Sequence, residues 1–164
     1  MNTKKLVFSS LLIGIATITG HLIYIPIGVS KIFPVQHTIN ILSAIWLGPW
    51  AALSNAFIIS LLRNFLGTGS LLAFPGSMIG AFLAGIFYKT SKKKHMAILG
   101  EIFGTGILGG LLSFPIAKFI LGANCSAFFF IVPFLTSSIG GSMIASLLLS
   151  ASTKFPILKE ERSK

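Results

Sequence analysis

Residues Lys89–Leu121 read KTSKKKHMAILGEIFGTGILGGLLSFPIAKFIL. The opening six residues hold four lysines, and from Met96 onward the stretch is predominantly apolar and uncharged except for Glu101 near its start and Lys118 near its end. A helix needs ~20 such residues to cross the ~30 Å hydrocarbon core of a bilayer. A lysine cluster beside a run of this kind is the pattern of a cytoplasmic helix end. The stretch therefore predicts a membrane-crossing helix whose basic end lies inside the cell.

The whole chain has the same character. Its 164 residues are 54% hydrophobic and 10% charged, with a mean hydropathy of +0.91, whereas soluble domains carry about 25% charged residues. A soluble fold of this length cannot hide so much apolar surface. A β-barrel would show ~10-residue segments of alternating polarity, and none occur. The expected fold is all-α and integral to the membrane: a six-transmembrane-helix bundle forming a single transmembrane domain over residues 1–164, with a basic tail at about 153–164.

Reading outward from Lys89, the spacing predicts helices over Leu6–Ile25, from Val35 to the Gly48-Pro49 break, Trp50–Leu66, Ser77–Tyr88, Met96–Leu121 and Phe128–Ser152. The second and fourth look short. Irregular segments are expected at Pro26–Pro34 and Gly67–Gly76, folded over the bundle to line or lid a cavity, because unpaired backbone is not tolerated against lipid. Lys4 and Lys5, the central lysines, and Lys154, Lys159, Arg162 and Lys164 each fall after an even number of crossings. This places both termini in the cytoplasm. It also explains the net charge of +10 without nucleic acid, which is not an expected partner. Only Lys31, Arg63 and Lys118 fall elsewhere.

The amino terminus has the outline of a signal peptide, but "TITGHL" is a poor cleavage site, so a first membrane helix is the expectation. Cys125 is the single cysteine, which rules out an internal disulfide and a thiolate metal cluster, and the Asn124-Cys125-Ser126 sequon is read as chance. No metal site is expected, because His21, His37 and His95 are dispersed. No cofactor motif survives either: the "GTG" after Asn64 follows no strand and has no lysine to reach a phosphate.

Small residues recur four apart, at Ser10 and Gly14, Ala16 and Gly20, Gly76 and Gly80, Gly100 and Gly104, and Gly141 and Ala145. Such spacing lets helix backbones approach closely. In the fourth and fifth helices the expected use is packing within the bundle. In the first helix an external partner is equally consistent with the pattern.

Polar side chains at membrane depth are costly and mark function by default. Gln36, His37 and Asn40 share one side of the second helix and can present donors and acceptors to a cavity, the bland alternative being capping in the wet interface. Arg63 and Asn64, with Ser60 behind them and Thr68 in the following loop, form a second group, although Arg63 alone could snorkel to headgroups. Phe74 is available to stack on a ring. Glu101 is the only acid outside the tail and is expected near the inner end of its helix, away from Arg63, either as a proton-coupling group or as a structural contact. A cavity with Arg63 and His37 and without a carboxylate would suit a neutral or anionic aromatic guest.

The segments FPVQHTIN, LGPW, RNFLGTGSLLAFPGSMIGAFLAG and GEIFGTGILGG resemble the ThiW family, membrane substrate-binding (S) components of energy-coupling factor (ECF) transporters. The resemblance implies a six-helix S-component fold that takes up the thiazole precursor of thiamine, hydroxyethylthiazole, from outside. It also implies a transmembrane coupling subunit and two ABC-type ATPases as partners. The coupling subunit would dock on small residues of the first helix, here Ser10, Gly14, Ala16 and Gly20. The substrate-binding candidates are Gln36, His37, Asn40, Arg63, Asn64, Thr68 and Phe74. A neutral thiazole alcohol agrees with the cavity chemistry, and no catalytic residue is assigned. Alternatives are an S component for another small vitamin or precursor, an autonomous proton-coupled carrier using Glu101, and a lipid-modifying enzyme with His37 as base.

Overall fold

A computed structural model describes residues 3–22, 24–27 and 30–152. The basic tail expected at 153–164, Gly28, and the side chains of His21 and Lys31 lie outside this description. Among the described residues the helices form six rods: α1 (Thr3–Leu22), α2 (Pro34–Trp46), α3 (Pro49–Phe65), α4 (Ala73–Ser91), α5 (Lys94–Ile120) and α6 (Ile131–Ser152). The fold is all-α apart from a small antiparallel hairpin, β1 (Ile25–Ile27) and β2 (Ser30–Ile32), with Ile25 opposite Ile32. That hairpin replaces part of the irregular segment expected at Pro26–Pro34.

Local chemistry sets the breaks. Pro34 opens α2 and Pro49 opens α3 in the first turn, where the N–H that proline lacks would have no helical partner. Between them Gly48 has φ +92°, a left-handed conformation that a side chain would strain. Pro75 does the same for α4, which starts at Ala73 and runs 19 residues. The fourth helix is therefore not short, and Gly76, expected in a turn, lies inside it. The short rods are α2, with 13 residues, and α3, with 17. α5 widens into π-helical turns at Ile102–Gly109 and again at Ile116–Ile120, directly after Pro115.

α2 is the central rod. It packs against all five others, and every residue from Gln36 to Ile45 is buried. Its start lies deep in the bundle: the Pro34 carbonyl and His37 Cβ rest on Gly141, midway along α6, where an added Cβ would come within 2.7 Å of His37 Cβ. Glycines also join α4 to α5 as expected: a Cβ on Gly104 would lie 2.7 Å from Gly80 Cα, and one on Gly100 would lie 2.8 Å from the Ala84 nitrogen.

Phe8 of α1 meets Trp46 at the end of α2 edge to face, Gly85 of α4 abuts Pro49, and Lys94 Nζ reaches the Leu149 carbonyl late in α6. Lys4, Lys5 and the Lys89–Lys94 turn consequently share one end of the bundle. Among the described residues, two helices, Lys94–Ile120 and Ile131–Ala151, are long and apolar enough to cross a membrane by length and composition. Large apolar side chains are exposed along α1 (Val7, Ile18, Leu22), α5 (Phe119, Ile120) and α6 (Val132, Met143, Leu147).

The small residues of α1 divide between two faces. Ser10 is exposed and a Cβ on Gly14 would meet nothing within 4 Å, whereas Ala16 is fully buried and Gly20 packs on Arg63. The four do not form one outward surface, because the α1 stripe containing Ala16 and Gly20 is used against the bundle.

Candidate functional site

The polar residues of α2 find their partners on α3, α4 and α5. Arg63 Nη1 donates to Gln36 Oε1, and Gln36 Nε2 donates to Ser60 Oγ at 2.9 Å and Ser77 Oγ at 2.7 Å. One turn later, Asn40 Nδ2 donates to Ser77 Oγ at 3.1 Å, the Ser77 carbonyl at 3.2 Å and Glu101 Oε1 at 3.0 Å. That same carboxylate oxygen lies 2.8 Å from His37 Nδ1 and accepts from Thr105 Oγ1 at 3.0 Å. Gln36, Asn40, Arg63 and Glu101 are each at most 3% exposed; these bonds replace water for most of their polar atoms, while Asn40 Oδ1, Arg63 Nε and Glu101 Oε2 are buried without a partner.

The loop after α3 clamps Arg63. Gly67, at φ +72°, turns the chain so that the Thr68 and Gly69 amides donate to the Arg63 carbonyl at 2.9 and 2.8 Å. In return Arg63 Nη2 donates to the Thr68 carbonyl at 3.1 Å. The guanidinium lies 3.8 Å from the centroid of the Phe33 ring, a cation–π contact strengthened by burial. Gly20 closes the other side: a Cβ there would sit 2.9 Å from Arg63 Nε. Phe33 is fixed by its own amide, which donates to Ser137 Oγ on α6 at 2.9 Å.

These groups surround a cavity of about 40 Å³, lined on its polar side by Gln36, His37, Arg63, Ser77, Thr105 and Ser137, and on its apolar side by Phe33, Ala73 and Phe134. Both segments expected to cover a cavity contribute to the wall, through Phe33 and Ala73. The space is enough for a few water molecules, so a five-membered ring can enter only if the wall moves.

Of the residues singled out in the sequence, Gln36, His37 and Arg63 line the cavity. Asn40 lies behind it. Asn64 donates to the Ser60 and Ser70 carbonyls and so braces the loop. Thr68 meets Arg63 from the far side, and Phe74 pairs with Phe57 at 5.8 Å between centroids rather than lining the cavity.

Glu101 departs most from expectation. It is fully buried and joins the cluster, linked to Arg63 through Asn40, Ser77 and Gln36. α2 starts beside the middle of α6, so its polar turn descends to the depth of Glu101. A carboxyl group thus stands behind the cavity wall, although none lines the cavity itself. The cluster sets the basic Arg63 and the acidic Glu101 at opposite ends of a hydrogen-bonded chain, which a neutral guest leaves undisturbed.

Six lining residues were not foreseen: Phe33, Ala73, Ser77, Thr105, Phe134 and Ser137. Thr105 had a legible signal, one turn after Glu101 on the same face. The serines had none. Among the described residues no group of three or more His, Cys, Asp or Glu is placed to hold a metal ion.

A family model described as thiamine-precursor transporter protein (ThiW) matches residues 6–155. No curated protein and no solved structure matches the chain.

Proposed function

Because the chain belongs to the ThiW family of thiamine-precursor transporters, we propose that its polar cluster is the substrate site of a membrane-embedded S component of an ECF-type importer. In this reading all six rods cross the bilayer, the lysine-bearing end faces the cytoplasm with both termini, and the hairpin end faces outward. The exposed apolar side chains of α1, α5 and α6 meet lipid. The cargo is the thiazole precursor of thiamine, hydroxyethylthiazole. Its ring would lie between Phe33 and Phe134, and its polar atoms would meet Gln36, His37, Arg63 and Ser77.

One observation carries this reading: in an otherwise apolar bundle, five helices converge polar side chains on a single cavity, with Arg63 in its wall and Glu101 directly behind it. A transporter needs a site of that kind, and structural packing does not. Asn40, Asn64 and Thr68 support the wall rather than touch the cargo. Energy comes from a coupling subunit and two ABC-type ATPases, with Ser10 and Gly14 on the free face of α1 as the docking surface.

Mass spectrometry of the small molecule retained by the purified protein tests the cargo assignment. The expected result is hydroxyethylthiazole, and a retained compound without a thiazole ring would refute it.

A second reading has specific support in the Glu101–His37 contact beside the cavity: an autonomous carrier driven by protons. Vesicles containing the protein alone would then concentrate thiazole under a proton gradient, and Glu101→Gln would stop it. The S-component reading predicts no concentrative uptake until the ATPase module is added. Enzymatic chemistry has less support, since among the described residues no hydroxyl is hydrogen-bonded to the His37 ring to serve as a nucleophile.

A further inference from the structure

Glu101 touches the cavity only through its neighbours, yet it controls what His37 offers there. Asn40 fixes the direction of these bonds. Its amide reaches the Ser77 backbone carbonyl, which can only accept, so nitrogen rather than oxygen must face that side. The same nitrogen reaches Glu101 Oε1, which therefore acts as an acceptor. With Glu101 as the carboxylate, an acceptor only, His37 Nδ1 at 2.8 Å from the same oxygen donates to it and carries the proton. The proton position on one ring nitrogen fixes the role of the other, and in the neutral ring Nε2 becomes a bare acceptor.

The opposite wall has the reverse polarity. Arg63 can only donate, so Gln36 turns Oε1 toward it and Nε2 toward the serines. Ser77 Oγ receives hydrogen bonds from both Gln36 and Asn40, which leaves its own proton free to donate elsewhere. His37 lines the cavity and, with Nδ1 turned to Glu101, has Nε2 as its remaining polar atom, so a guest there meets donors at Ser77 and Arg63 and that one acceptor at His37.

We infer that Glu101 is a positioning residue for ligand selection: by holding the proton on His37 Nδ1 it makes Nε2 an acceptor, and so selects guests that carry a hydroxyl over the same molecules with that hydrogen replaced. This rests on the cavity being the substrate site. A thiazole alcohol fits both walls, with ring nitrogen toward the donors and hydroxyl toward His37.

The test compares hydroxyethylthiazole with its methyl ether, using equilibrium binding to the purified full chain, together with histidine-selective nitrogen NMR assigned by His37→Gln. Wild type is expected to show a neutral His37 protonated at Nδ1 and to favour the alcohol by about tenfold or more, the cost of facing a buried acceptor with no donor. In Glu101→Leu the ring is released, the Nε2-protonated form appears, and the preference falls toward about one. Glu101→Gln retains an acceptor oxygen for Nδ1 and is expected to keep both the tautomer and the preference.

A doubly protonated ring in wild type, an unchanged tautomer and preference in Glu101→Leu, or loss of both in a folded Glu101→Gln would overturn the inference. If Glu101→Leu fails to fold, the wild-type tautomer and the Gln variant still decide. If wild type binds neither compound, the thiazole reading fails, while the NMR arm still judges the role of Glu101.

Discussion

The bond between Gln36 and Arg63 allows a quantitative check on the cluster. Gln36→Leu keeps the side-chain volume and the apolar fit of a residue that is 2% exposed, but removes the acceptor for Arg63 Nη1 and the donor to Ser60 and Ser77. A hydrogen bond to a charged group contributes about 1.5–3 kcal/mol, and each neutral bond about 1 kcal/mol, so the variant should lose about 3–5 kcal/mol. Arg63→Met forfeits the same shared bond, the bond to the Thr68 carbonyl and the stacking on Phe33. The two losses overlap in one interaction. In a mixed-micelle denaturant titration, the double variant should therefore be about 1.5–3 kcal/mol more stable than the sum of the single losses predicts. Additivity within about 0.5 kcal/mol would mean that the two side chains do not sense each other and would refute the network.

Other substitutions probe separate parts of the account. Gly80→Ala would drive a Cβ into Thr105 Oγ1 and to within 2.9 Å of Glu101 Oε2; a loss of about 1–3 kcal/mol in the same titration is expected, and neutrality would contradict the flush contact of α4 with α5. Gly20→Ala places a methyl 2.9 Å from Arg63 Nε, so thiazole affinity should fall several-fold in a protein that still folds, as read by calorimetry. Gly14→Leu extends into open space and should leave thiazole binding intact while weakening co-purification with the coupling subunit; equal recovery of the complex would remove α1 as the docking face.

The helical architecture was legible because each break has a local cause. Gly48-Pro49 and the Lys89–Lys94 turn fall where the sequence places them, and the rod boundaries differ from expectation by a few residues. The start of α4 differs from the sequence expectation because Pro75 signals a helix's first turn as readily as a loop, and only tertiary packing of Gly76 against Phe134 settles which. Gln36, His37 and Arg63 stood out because polar groups in an apolar run need partners. Glu101 was misplaced for a reason the sequence does not contain: relative helix depth. Counting from the lysine cluster puts Glu101 near one end of α5, but α2 begins beside Gly141 rather than at the bundle surface, and that vertical offset brings His37 and Asn40 to it. The division of α1 into a buried stripe at Ala16 and Gly20 and a free face at Ser10 and Gly14 depends likewise on how the rod is rotated, which four-residue spacing leaves open.

Calorimetric titration of hydroxyethylthiazole into the purified chain, alongside folded Gln36→Leu and Arg63→Met variants, decides whether the cargo occupies this cavity. Saturable binding of one molecule per chain in wild type, lost or weakened at least tenfold in both variants, is the predicted result. Wild-type affinity retained in both would place the cargo somewhere other than the cavity between Phe33, Gln36, His37 and Arg63.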